Sequence, residues 1–175
     1  EFRRVLFRSS KDGSLSKGMN NHIYYGLHHD AQGNWVFREW APNATKIYLI
    51  GDFNNWKRSE AYALRPMGGG NWEITLPAMF LDHGTLYKLF IEWPGGGAER
   101  LPSYVTRAVQ DVQTKQFCAQ VWDPVKPYEW RNPKPGRRPH PLIYECHIGM
   151  ATKEERVGTF EEFRLNVLPK VADLG

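Results

Sequence analysis

Short β-branched and aromatic runs, Gly, Pro and Asn punctuation between them, and a change of composition at Asp123 predict a mainly β chain. The expected architecture is an antiparallel, immunoglobulin-like β-sandwich over residues 20–123, followed by the first β-α unit of a second domain. A chain of 175 residues has room for one domain of ordinary size and part of another. Its 41% hydrophobic and 14% aromatic residues are enough to fill a core.

Residues 1–9, EFRRVLFRS, have neither a helical nor a strand period. They resemble the in-frame translation of a sequencing-library adapter, a scar to be excluded from fold reasoning, in preference to a genuine basic arm. On that reading the frame is an assembled fragment, open to truncation at both ends. Residues 10–19 are expected to be flexible. Ile23–Leu27 alternates as a strand, Gln32-Gly33-Asn34 follows Asp30 as a turn, and Trp35–Trp40 is a second strand, together a hairpin. His28 and His29 stand at its end. Neighbours on a strand point to opposite faces, so solvated loop histidines are preferred to a metal pair.

Thr45–Ile50 is a strong strand, and Gly51-Asp52-Phe53-Asn54-Asn55-Trp56 is the turn after it. Trp72–Leu76 and Thr85–Trp93 are further strands, with Gly68–Gly70 and Gly95–Gly97 as turns, and Gln116–Trp122 closes the sandwich. Neither glycine run opens a helix carrying Lys and Ser or Thr, so neither is a phosphate cradle. Residues 124–141 are too proline-rich for regular structure and read as a basic linker. Leu142–Gly149 is a nearly continuous apolar run, as in a parallel strand buried on both faces. Glu145 and His147 share one face of it, where a buried structural pair is preferred to a catalytic one. Thr159 and Glu162 form a capping box, and Phe160, Phe163, Val167, Leu168, Val171 and Leu174 recur at helical spacing, with Pro169 as a break or kink.

The net charge of +4 and pI near 9.1 invite a nucleic-acid reading. However, residues 1–10 carry +2 and residues 131–138 carry +4, which leaves the rest at −2. The sandwich itself is therefore mildly acidic, and no nucleic-acid partner is expected. No apolar stretch is long enough for a membrane span and no signal peptide follows the basic start, so no membrane partner is expected and the cytoplasm is the default. Cys118 and Cys146 stand far apart without a second pair, which indicates no disulfide framework and no zinc site. Both are read as buried small hydrophobes. No metal or cofactor is expected.

REWAPNATKIYLIGDFNNW, LYKLFIEWPGG, VQDVQTKQFCAQVWDP and LIYECHIGMATKEERVGTFEEFRLNVLPKVADLG, in this order and spacing, resemble the N-terminal region of 1,4-α-glucan branching enzymes of the eukaryotic type. That family belongs to glycoside hydrolase family 13, and the resemblance covers nearly the whole chain after residue 10. It implies that the sandwich is a carbohydrate-binding module of family 48. Residues 142–175 would then begin a truncated catalytic (β/α)8 barrel whose remainder is the sandwich's partner. It further implies retaining transglycosylation that cleaves α-1,4 and forms α-1,6 bonds in glycogen or starch. The catalytic Asp, Glu and second Asp would lie beyond Gly175, so no catalytic residue is assigned here and the fragment alone is expected to be inactive.

The resemblance also implies a sugar platform of Trp56, Lys88 and Trp93, with Asn54 and Asn55 beside the first, for α-1,4-glucans such as glycogen, starch and maltooligosaccharides. Aromatic faces suit the apolar side of a pyranose, and amides and cations suit its hydroxyls. Trp93 precedes a longer hairpin than compact modules have, which leaves its aim open. Trp40 and Pro42 are candidate glucan contacts at a seam between module and barrel, with interface packing as the equal alternative. Trp35, Trp72 and Trp122 are expected to be structural. A stand-alone glycan-binding or regulatory module would leave residues 142–175 without a purpose. A debranching enzyme fits the spelling YECHIGMATKEERVGTF less closely. In isolation, residues 142–175 are expected to be loosely held.

Overall fold

The computed structural model describes residues 20–132, 136 and 139–174. The expectations for residues 1–19, and for Pro133–Pro135 and Arg137–Arg138 within the basic segment, lie outside the described residues. The chain divides into two compact units, Glu1–Tyr128 and Glu129–Gly175.

The first unit is mainly β. Its strands are β1 Gly26–His29, β2 Trp35–Trp40, β3 Lys46–Gly51, β4 Arg65–Gly68, β5 Asn71–Leu76, β6 Leu86–Trp93, β7 Gly96–Arg100, β8 Ala108–Gln110 and β9 Phe117–Gln120. One sheet has the order β1-β2-β5-β4 and the other β3-β6-β9-β8, with β7 added to β6. All pairings among these strands are antiparallel. β3 lines one edge of β6 from Lys46↔Glu92 to Gly51↔Tyr87. The other edge is shared, by β9 at Leu86 and Tyr87 and by β7 from Leu89 to Trp93.

Alternation along these strands builds the core. Trp35 and Phe37 of β2, Trp72, Ile74 and Leu76 of β5, Ile47 and Leu49 of β3, and Tyr87 and Leu89 of β6 converge in one buried cluster. The buried indoles find acceptors as their polar edges require: Trp35 Nε1 donates to the Leu81 carbonyl at 2.9 Å and Trp72 Nε1 to that of Ala41 at 3.0 Å. Trp35 and Trp72 are thus structural, as expected. Trp122 is not buried: it is half exposed, with the Arg107 guanidinium carbon 4.2 Å from its ring centroid and the His83 ring 4.8 Å away.

Several expectations are corrected here. The expected strand Ile23–Leu27 begins only at Gly26 and runs on to His29, because Asn21–Tyr24 forms one helical turn, while the expected hairpin with β2 is present. His28 and His29 are strand residues, not loop residues. His28 Nε2 lies 2.7 Å from the Tyr25 carbonyl, and His29 stacks on Trp35 with Nε2 3.1 Å from Asp123 Oδ2. Of the second glycine run, only Gly95 lies in the turn, and Gly96 and Gly97 begin β7. β4, β7 and β8 escape sequence reading because Pro and Gly interrupt the first two and the third is three residues long. Cys118 is half-buried and Cys146 exposed, so neither is a buried hydrophobe.

In the second unit Thr159 Oγ1 accepts from the Glu162 N–H at 3.2 Å, and Glu162 Oε2 accepts from the Thr159 N–H at 2.8 Å. This reciprocal capping box opens helix Phe160–Asn166. A second helix, Leu168–Asp173, carries Pro169 in its first turn, where the missing N–H costs nothing. The expected strand Leu142–Gly149 does not form. Residues 141–147 have no regular structure, and Leu142 is 92% exposed. A strand draws its hydrogen bonds from neighbours, and among the described residues of this unit no strand stands beside Leu142–Gly149. Glu145 and His147 are likewise exposed, so they are not a buried pair.

Candidate functional site

The turn after β3 is a machined corner. Gly51 approaches the Leu86 carbonyl so closely that a Cβ would stand 2.3 Å from its oxygen, so only glycine fits. Asp52–Asn54 makes one 3₁₀ turn, after which Asn55 (φ 53°) and Trp56 (φ 59°) are both left-handed. Two consecutive non-glycine residues in this region need external support. Asn54 supplies part of it: its Oδ1 accepts from the Gly51 N–H and its Nδ2 donates to the Leu49 carbonyl, both at 3.0 Å. Asp52 supplies the rest, accepting from Trp56 Nε1 at 3.1 Å and from the Leu86 N–H at 2.9 Å. Asn54 is therefore a scaffold of the turn, whereas the Asn55 side chain is exposed.

This turn sets Trp56 beside β6. Lys88 Nζ lies 6.0 Å from the Trp56 ring centroid. Lys88 is only 8% exposed, and its ammonium is held by Glu99 Oε2 at 3.0 Å and Gln116 Oε1 at 3.3 Å. Glu99 reaches it because β7 pairs Glu99 with Phe90, which alternation places on the same face of β6 as Lys88. A groove of about 510 Å³ runs on from here, lined by Lys88, Glu99, Leu101, Lys115, Gln116 and Phe117 among others. Cys118 sits among these charges. Burial, foremost, holds its thiol above the usual range, with Asp52, Glu99 and Asp111 pushing the same way and Lys88 opposing.

The other candidates lie elsewhere. Trp93 is five residues along β6 from Lys88, roughly 17 Å at the usual rise per strand residue. It lines a separate groove of about 220 Å³ with Arg58, Phe90 and Glu92 at the β6–β7 hairpin. Trp40 and Pro42 leave β2, in the other sheet. Trp40 Nε1 donates to the Gly69 carbonyl at 3.1 Å, and the Ala41 N–H donates to that of Gly70 at 2.8 Å. Gly70 (φ +81°) passes so near that a Cβ on it would stand 2.9 Å from Pro42, which fixes this segment against the Gly68–Gly70 turn. Pro42 and part of the Trp40 indole remain open to solvent.

The structure thus brings Trp56, Asn54, Asn55 and Lys88 together and leaves Trp93, and Trp40 with Pro42, at two other places. Sequence reading missed Asp52, Glu99 and Gln116. The register of the β6–β7 hairpin would have found Glu99, but assigning all three glycines to the turn hid the strand that carries it. Among the described residues no cluster of three or more His, Cys, Asp or Glu could hold a metal, and no helix is long and apolar enough to cross a membrane.

Residues 24–106 match the family model of carbohydrate-binding module 48, the isoamylase N-terminal domain. The chain is 36% identical over 173 residues to the 1,4-alpha-glucan-branching enzyme of Rhizophagus irregularis, covering 95% of this chain and 25% of that protein. It is 34% identical over 175 residues to that of Yarrowia lipolytica, with the same coverages. Among solved structures, a putative alpha amylase from Salmonella typhimurium superposes with a TM-score of 0.47 at 21% identity, over 62% of this chain and 16% of that one. The chain spans about a quarter of the length of the curated relatives it matches. Residues 24–106 are thus similar to carbohydrate-binding module 48, and nearly the whole chain is similar to the N-terminal part of 1,4-alpha-glucan-branching enzymes.

Proposed function

We propose that the first unit is an immunoglobulin-like module that holds α-1,4-glucan, as glycogen, starch or maltooligosaccharide, on the face built by Trp56 and Lys88. The observation that carries this reading is their convergence: two residues from different elements meet at 6.0 Å on a domain of a carbohydrate-binding family. The indole gives an apolar plate for one pyranose face, and the ammonium, restrained by two acceptors, gives a fixed donor for a hydroxyl. Asn55 edges the plate and Asn54 holds it in place. Trp93 and the Trp40–Pro42 segment serve as separate contacts for a longer chain.

In the whole protein, residues 142–175 supply the first strand and helix of a (β/α)8 barrel, the strand forming once its neighbours are present to bond it. The activity is retaining transglycosylation. A carboxylate attacks the anomeric carbon of an α-1,4 bond, an acid protonates the leaving oxygen, and a sugar 6-hydroxyl captures the glycosyl-enzyme to form an α-1,6 bond. Those carboxylates belong to the remainder of the protein, and the 175 residues contribute binding. Titration with maltoheptaose, followed by Trp fluorescence, tests the module: a saturable change is expected for the 175-residue chain, and its loss in Trp56→Ala. Unchanged binding by Trp56→Ala would refute the platform. Measurable branching by the purified chain would refute the division of labour.

A further inference from the structure

The surroundings of Trp56 carry an electrostatic pattern that glucan holding alone does not require. The ammonium beside the ring, Lys88, is paired with one carboxylate, and a second carboxylate holds the ring itself. Glu99 Oε2 binds it directly at 3.0 Å, and Asp52 Oδ1 accepts from the indole Nε1 at 3.1 Å. Asp111 adds a third carboxylate near Cys118, within the same group of charges. Two further cations, Arg100 and Lys115, line the groove that runs on from Lys88. The Arg100 guanidinium carbon lies 5.6 Å from the Trp93 ring centroid, Arg58 pairs with Glu92 at 3.1 Å, and Lys115 stands on the turn before β9.

We propose that Glu99 is a specificity-determining residue: by neutralising Lys88, it makes the Trp56 surface select uncharged polyhydroxylated chains over anionic ones, such as phosphate-bearing glucans. The inference rests on the glucan-holding reading above. An unpaired, nearly buried ammonium attracts phosphate strongly, because a charge-assisted hydrogen bond to an anion exceeds one to a neutral hydroxyl. Pairing with Glu99 removes that advantage while leaving Lys88 a donor. Glu99 itself lines the groove, and its carboxylate is an acceptor that hydroxyls can use and phosphate dianions cannot.

The test is calorimetric titration of the full 175-residue chain with maltoheptaose and with maltoheptaose carrying one 6-phosphate, at low and moderate salt. Wild type should bind the neutral ligand at least as tightly as the phosphorylated one. Glu99→Gln keeps the shape and removes the charge. It should raise affinity for the phosphorylated ligand about tenfold relative to the neutral one, and added salt should erase that gain. Gln116→Glu, which adds a carboxylate on the other side of Lys88, should shift the ratio the opposite way. A ratio unmoved by both substitutions overturns the proposal while leaving the platform intact. Failure of wild type to bind maltoheptaose overturns the glucan-holding reading and this inference with it.

Discussion

Replacing Asn54 by Ala separates scaffold from contact at the candidate site. The substitution deletes two hydrogen bonds, to the Gly51 N–H and the Leu49 carbonyl, both part-buried. Each such bond contributes about 1 kcal/mol net, so a loss of about 2 kcal/mol is expected. With a urea dependence of about 1.5 kcal/mol per molar for a domain of this size, the unfolding midpoint should fall by about 1.3 M. Binding should weaken as well, although Asn54 is not proposed to touch the ligand, because Asn55 and Trp56 lose the tie that holds them left-handed. Urea titration followed by Trp fluorescence measures the first effect and maltoheptaose titration the second. A midpoint within about 0.3 M of wild type would refute the scaffold role. Asn55→Gly serves as the comparison: its φ of 53° is native to glycine, so stability should change by less than about 1 kcal/mol.

Further outcomes follow from the same geometry. Leu89→Ala, at the fully buried centre of β6, should cost about 3 kcal/mol, read from the same urea titration. Glu162 is held down to about 2 by hydrogen bonds from Arg156 first and then from Thr159. Its unfolded value is the ordinary 4.5, so its contribution is complete above that pH and is lost as pH falls toward 2. Far-ultraviolet circular dichroism should show helix loss in that window, and Glu162→Gln should flatten it. Cys146 is exposed, whereas the Cys118 thiol is half-buried and raised above its ordinary range. A maleimide should therefore label Cys146 first near neutral pH, and equal rates would contradict the placement of Cys118.

What the sequence discloses and what it hides divide along the origin of each element's hydrogen bonds. The helix at Phe160 was legible because its cap, Thr159 with Glu162, lies within four residues, so the signal and the structure share one stretch of chain. β2 was legible because its large residues, from Trp35 to Trp40, are printed in its own stretch of chain. β7 was not, since Gly-Gly-Ala-Glu-Arg has little strand preference and exists because β6 offers it an edge. Leu142–Gly149 errs in the opposite direction: its apolar run is right for a buried strand, but no strand pairs with it among the described residues of the second unit. The site follows the same division. Trp56 announced itself through the Asn-Asn-Trp turn, while Glu99 became its neighbour only through the register Phe90↔Glu99. A residue delivered by register carries no local motif. The group proposed here to set ligand charge preference was therefore the one that reading along the chain was least able to find.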